Sequence, residues 1–201
     1  MRRIRSMLMS AFLLFLPAVA FCQKPESLHF GAEWGLSYPV ISGTHATFLT
    51  EDGYLVENKE LKVNEHINAL VLGSIGIDLS RRFGLYVLSG YMGVTKGERV
   101  VPVTLRGVCS LSDRLTGSSI YAEAGGGFRK GNKTTGIVRL GYIFSYGLTD
   151  RLSLNFNAGS IISFSHPDIY DKYSGRYVPK PDLGLSNSLN VGAALTVGLA
   201  F

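Results

Sequence analysis

Cysteine is almost missing from this chain: Cys22 and Cys109 are its only two. A disulfide-stapled scaffold is excluded on that count, and Cys109 has no histidine near it in sequence to make it a catalytic thiol. Charge is scarce as well. Asp, Glu, Lys and Arg make up 17% of the residues, and the formal charge of +5 includes three arginines at the start, Arg2, Arg3 and Arg5. Without them the balance is 5 − 3 = +2, too weak and dispersed for a nucleic-acid surface. After Phe21 no segment reaches the roughly 18 consecutive apolar residues of a membrane-spanning helix. Metal-ligand spacings and phosphate-binding glycine loops are missing too, so no cofactor and no metal site is expected.

The chain does have a leader. Arg2, Arg3 and Arg5 precede an apolar run from Met7 to Phe21, followed by Cys22, Gln23 and Lys24. A basic start, a short apolar stretch and small residues at its exit describe a secretory signal peptide over residues 1–22. Ala18-Val19-Ala20 suits cleavage after Ala20, and Ala20-Phe21-Cys22 suits cleavage after Cys22. Lipidation of Cys22 is disfavoured, because bulky Phe21 stands where a small residue is required. Residues 23–201 then form one exported domain.

Its clearest element is the last. Leu189, Val191, Ala193, Leu195, Val197, Leu199 and Phe201 alternate with Ser188, Asn190, Gly192, Ala194, Thr196, Gly198 and Ala200. Period-2 alternation makes this a strand, and its second face is small, polar and uncharged. A strand exposed to water would carry Lys, Glu or Asp on that face. A strand between lipid and a narrow barrel interior would not. Seven further segments alternate in the same way, starting near His29, Ile67, Leu85, Val101, Ser119, Val138 and Leu152. The facing of the segment from Leu85 stays ambiguous, since both of its faces are apolar. Two long polar stretches, 41–65 and 166–185, read as exposed loops. The connections run long, short, medium, medium, medium, short, long. With both termini on the periplasmic side, the long loops fall outside the cell and the tightest turns inside. The expected fold is all-β: an eight-stranded antiparallel up-and-down transmembrane β-barrel in the cell outer membrane.

Leader, eight alternating strands and the ending Leu195-x-Val197-x-Leu199-x-Phe201 together resemble the small outer-membrane β-barrel family of OmpA transmembrane-domain-like and OmpX-like proteins. The resemblance covers nearly all of the mature chain. It implies a monomer among outer-membrane lipids. It also implies that the barrel-insertion machinery reads Leu195, Val197, Leu199 and Phe201 as an assembly signal.

Five charges interrupt the polar faces of the strands: Glu33, Asp78, Arg106, Glu123 and Arg139. Facing a lumen they must pair, because an isolated buried charge is costly. They form either a plug that pins the interior, with His29 nearby, or a gated ion path. The plug is preferred, since an eight-stranded barrel holds little beyond its own side chains. Trp34, Tyr38, Tyr91, Tyr142, Phe144, Phe156, Phe164 and Phe201 read as interfacial girdles. Ser163, Ser165, His166 and Asp168 are the nearest approach to the Ser/His/acid sets with which some outer-membrane barrels modify lipid A, but no nucleophile signature surrounds them. The expectation is a non-enzymatic structural or surface-interaction protein with an unknown extracellular ligand. A narrow pore or transporter is the alternative, ahead of a lipid A-modifying enzyme.

Overall fold

The computed structural model describes residues 28–201 except 51, 65, 96–97, 113–115, 130–132 and 172, so the expected leader lies outside the described residues. Eleven strands follow in order: β1 (Leu28–Leu49), β2 (Leu55–Val63), β3 (Asn68–Asp78), β4 (Phe83–Thr95), β5 (Glu98–Ser110), β6 (Gly117–Arg129), β7 (Lys133–Gly147), β8 (Ser153–Ser165), β9 (Tyr170–Asp171), β10 (Arg176–Tyr177) and β11 (Leu183–Ala200). Eight of them pair antiparallel with their neighbours in the order β1, β3, β4, β5, β6, β7, β8, β11, and β11 returns to β1 to close the ring. Closure leaves the barrel no open edge. Pro102, which has no N–H to donate, falls where the β4–β5 ladder is interrupted between Ser89↔Val103 and Met92↔Val100.

The register fixes the barrel's width. From Gly35, the pairs through Leu70 and Met92 arrive at Val100 on β5. The pairs the other way, through Thr196, Asn157, Ile143 and Ser119, arrive at Ser110. The stagger is therefore 110 − 100 = 10 residues. For eight strands at ordinary spacing and rise this corresponds to a tilt of about 40° and a backbone radius of about 8 Å. Side chains reaching inward from opposite walls meet at the axis.

Both long loops need correction. Residues 41–65 are not a loop. β1 continues to Leu49, turns at Gly53 (φ +80°) and returns as β2, paired from Leu49↔Leu55 to Ile41↔Val63. A bulge between Pro39 and Ile41 hides the continuation, because Val40 and Ile41 both face outward and the alternation changes phase there. The stretch 166–185 holds the β9–β10 hairpin and a 3₁₀ turn at Lys180–Asp182, and β11 begins at Leu183 rather than Ser188. The expected asymmetry of turns is corrected too. β4 ends at Thr95 and β5 begins at Glu98, so a very short connection lies at the same end as the long ones.

Candidate functional site

Inward and outward faces differ sharply. Among the described residues, the outward positions of the eight barrel strands between the rims carry no charged side chain. They hold Trp34, Leu36, Val71, Ile75, Val87, Val103, Leu105, Ile120, Leu140, Phe156 and Leu195, all exposed. All eight expected girdle aromatics are exposed as well. A water-soluble ligand-binding barrel has the opposite arrangement, with its apolar face inside.

The interior is layered along the axis. At the long-loop end, Leu70, Leu72, Leu88, Met92, Val94, Val100, Ile137 and Ile161 pack into one buried apolar cluster. This settles the facing of β4: Leu88, Met92 and Val94 are inside, Val87 and Tyr91 outside. Both faces of β4 are apolar because one meets this cluster and the other lies on the exposed belt.

Beneath the cluster lie four charges. Arg106 grips Glu33 with two parallel hydrogen bonds, Nη1 to Oε2 and Nη2 to Oε1, both 2.9 Å. Its Nε donates to Glu123 Oε2 at 2.9 Å. Arg139 Nη1 stands 3.2 Å from both Glu33 Oε1 and Glu123 Oε2. Thr104 donates to Glu123 at 2.8 Å, and Asn157 donates to Glu33 at 2.8 Å and to Thr196 at 2.9 Å. All four charged side chains are buried. Two acids meet two bases, so the set is formally neutral, which is the arrangement a low-dielectric interior tolerates. Tyr121 slides its ring beneath both guanidinium groups, 4.7 Å from Arg106 and 5.8 Å from Arg139. Gly141 and Gly159 make that possible, since a Cβ on either would meet the ring or its hydroxyl at 2.7 Å.

Asp78 is not part of this set. Its Oδ2 lies 2.8 Å from His29 Nε2, at the terminus end of the barrel where Asp78 pairs with Gly84. His29 likewise joins Asp78 and not the central four. A vestibule of about 570 Å³ opens at this end, walled by hydroxyl and amide side chains such as Ser110, Ser119, Ser145 and Asn155, with Glu33, Arg106 and Asn157 at its floor. The molecule is therefore open below the charges, whereas above them the aliphatic cluster shares the lumen with buried Ser37, Thr135, Ser163 and Asn190.

Sequence reasoning missed Tyr121, Thr104, Asn157 and Thr196 as members of the cluster. The signal was available, because each falls on the inward parity of its strand. The Ser/His/acid set is not assembled. His166 Nδ1 donates to the Ser186 carbonyl at 2.6 Å, Ser163 accepts from Asn190 at 3.3 Å, and Asp168 pairs with Lys133. Leu195 and Phe201 are exposed on the outer wall, with Val197 and Leu199 partly covered between them. Among the described residues no three His, Cys, Asp or Glu side chains gather as a metal ion would need.

No family model matches the chain, and no curated protein matches it. Among solved structures it is similar to the outer membrane protease OmpT of Escherichia coli, with 13% identity and a TM-score of 0.35 over 89% of this chain and 97% of that one. It is also similar to the secretin-domain β-barrel of InvG from the Salmonella SPI-1 injectisome, with 9% identity and a TM-score of 0.15 over 96% of this chain and 66% of that one. Likenesses this distant assign no activity. One expectation is nevertheless corrected: OmpT is an enzyme, so a non-enzymatic protein no longer follows from a barrel of this kind.

Proposed function

We propose that this chain is exported by its leader and sits in the outer membrane as a monomeric barrel of the OmpA- and OmpX-like kind. Its task is structural or surface-interacting. The observation that carries this reading is the uncharged apolar outer wall around an interior that holds the four buried charges. Only hydrocarbon solvates such a wall without penalty. The long β1–β2 hairpin and the β9–β10 segment leave the same end of the barrel, and on this reading they are its extracellular face. The aliphatic cluster closes the lumen on that side, so the barrel passes no ions and the charges act as an internal pin. Leu195, Val197, Leu199 and Phe201 are the strand presented to the barrel-insertion machinery.

Membrane fractionation with planar-bilayer recording tests the proposal. The expected protein resists carbonate extraction from outer membranes, shows no unitary conductance, and assembles less efficiently when Phe201 is deleted. Recovery as a detergent-independent periplasmic species would refute it. Reproducible channel steps would refute the closed lumen alone.

A further inference from the structure

Two turns at the terminus end of the barrel are built alike. In the β3–β4 turn, the Leu79 and Ser80 N–H groups both donate to the Phe83 carbonyl (2.9 and 3.1 Å), and Ser80 Oγ accepts from the Arg82 and Phe83 N–H groups (3.3 and 3.1 Å). In the β7–β8 turn, the Leu148 and Thr149 N–H groups donate to the Leu152 carbonyl (2.8 and 3.1 Å), and Thr149 Oγ1 accepts from Arg151 and Leu152 (3.3 and 3.0 Å). The underlying sequences are Leu79-Ser80-Arg81-Arg82-Phe83 and Leu148-Thr149-Asp150-Arg151-Leu152. One pattern, Leu-[Ser/Thr]-x-Arg-[Phe/Leu], thus places an exposed arginine at the same position of the same hydroxyl-capped turn. The pattern recurs at Leu111-Ser112-Asp113-Arg114-Leu115, in the remaining turn of this end, whose centre lies outside the described residues.

Turn stability alone explains the Ser or Thr, whose oxygen holds two backbone N–H groups. It does not ask for arginine. The surroundings do. Each arginine lies within three residues of the last tier of the apolar belt: Phe83, next to Arg82, is 54% exposed, and Leu148, three residues before Arg151, is 49% exposed with Tyr146 beside it on the outer wall at 54%. A guanidinium on this ledge has hydrocarbon on one side and water on the other. That is the level of the phospholipid phosphates, whose geometry matches arginine's planar fork. Asp150 precedes Arg151, and both border the mouth of the vestibule. The β7–β8 turn therefore stands at the rim of the vestibule, and the β3–β4 turn lies between Asp78 and Gly84, which line the vestibule too.

We propose that the turns carrying Arg82 and Arg151 are seats for the phosphate groups of anionic phospholipids in the leaflet at the terminus end, an inference that rests on the membrane reading above. Charge complementarity and continuity with the apolar belt favour a lipid headgroup over a free anion.

Native mass spectrometry of the full chain, released from micelles containing equal phosphatidylglycerol and phosphatidylcholine, tests this. One arginine near a membrane surface favours an anionic lipid by roughly fivefold. The wild-type chain should retain phosphatidylglycerol with that preference, and the double variant R82Q/R151Q should lower the ratio to what Arg81 and Arg114 at the same end still contribute. R82K/R151K should keep part of it, and R99Q, at the opposite rim, all of it. An unchanged ratio in R82Q/R151Q overturns the proposal. So does loss of the preference on adding excess inorganic phosphate, which would mean an unspecific anion site. A chain that inserts into vesicles without lipid preference removes this inference only, whereas a chain that never inserts removes the membrane reading and this inference with it.

Discussion

Each charged residue in the middle of the barrel has at least two partners, so none can be changed without stranding another. Replacing Glu123 with Leu leaves Arg139 with Glu33 alone and removes the acceptor of Arg106 Nε and of the Thr104 hydroxyl. The expected loss is about 3–5 kcal/mol, read as a lower urea midpoint in detergent micelles. Adding Arg139→Met should restore part of it by removing the stranded base, and a double variant no better than the single would argue against the pairing. Tyr121 gives a second probe. Gly159→Ala places a methyl group 2.5 Å from the Leu140 carbonyl oxygen and 2.7 Å from the Tyr121 hydroxyl, and overpacking of this kind costs about 1–3 kcal/mol. Gly73→Ala, where a Cβ has open space apart from one carbonyl contact at 3.9 Å, is the control. Equal midpoints for the two would contradict the close packing of β7, β8 and the Tyr121 hydroxyl around Gly159.

Whole strands were legible wherever their two faces differ in chemistry. β11 and β6 show this best, because small or polar residues inside alternate with apolar residues outside. β4 could not be oriented from its sequence, since outward-facing and core-facing positions are both apolar. The β1–β2 hairpin was missed for another reason. One bulge at Val40 inverts the phase, and the scattered charges beyond it look like a solvated loop. This hairpin should be dispensable for closure. The pairs of β1 with β3 run from Leu28 to Ser37, below the bulge. Replacing residues 44–62 with a short turn is expected to preserve the heat-modifiable mobility of the folded barrel on gels, and loss of that mobility would count against an independent hairpin.

In the β9–β10 turn, Asp171 accepts from the Ser174 hydroxyl (2.7 Å) and from the Tyr173 and Ser174 N–H groups (2.9 and 3.3 Å). The Ser174 hydroxyl first, then the Tyr173 amide, hold its carboxyl below the ordinary aspartate range. A lowered carboxyl stabilises its turn above the unfolded value and loses that contribution as pH falls through the folded one. The protection factors of the Tyr173 and Ser174 amides, taken relative to intrinsic exchange at each pH, should therefore be high at neutral pH and fall on acidification. In Asp171→Asn the protection should be lower at neutral pH and nearly flat with pH. Equal protection in the variant would sink this account.

At the scale of the whole molecule, the amino-acid order by itself determined that the chain is a set of long two-faced strands with too few charges for water on both sides. Side-chain alternation is a local property of extended backbone, so it can be read residue by residue. Only the tertiary structure decided which charges meet, because a stagger of ten residues around the ring joins Glu33 to Arg106 and Arg139 across the lumen while leaving Asp78 at the mouth. It alone decided that the aliphatic cluster fills one end of the interior and the vestibule opens at the other, since that layering depends on the axial height of every strand at once. Axial height is set by ring closure, and closure is a relation among eight segments that no single segment contains.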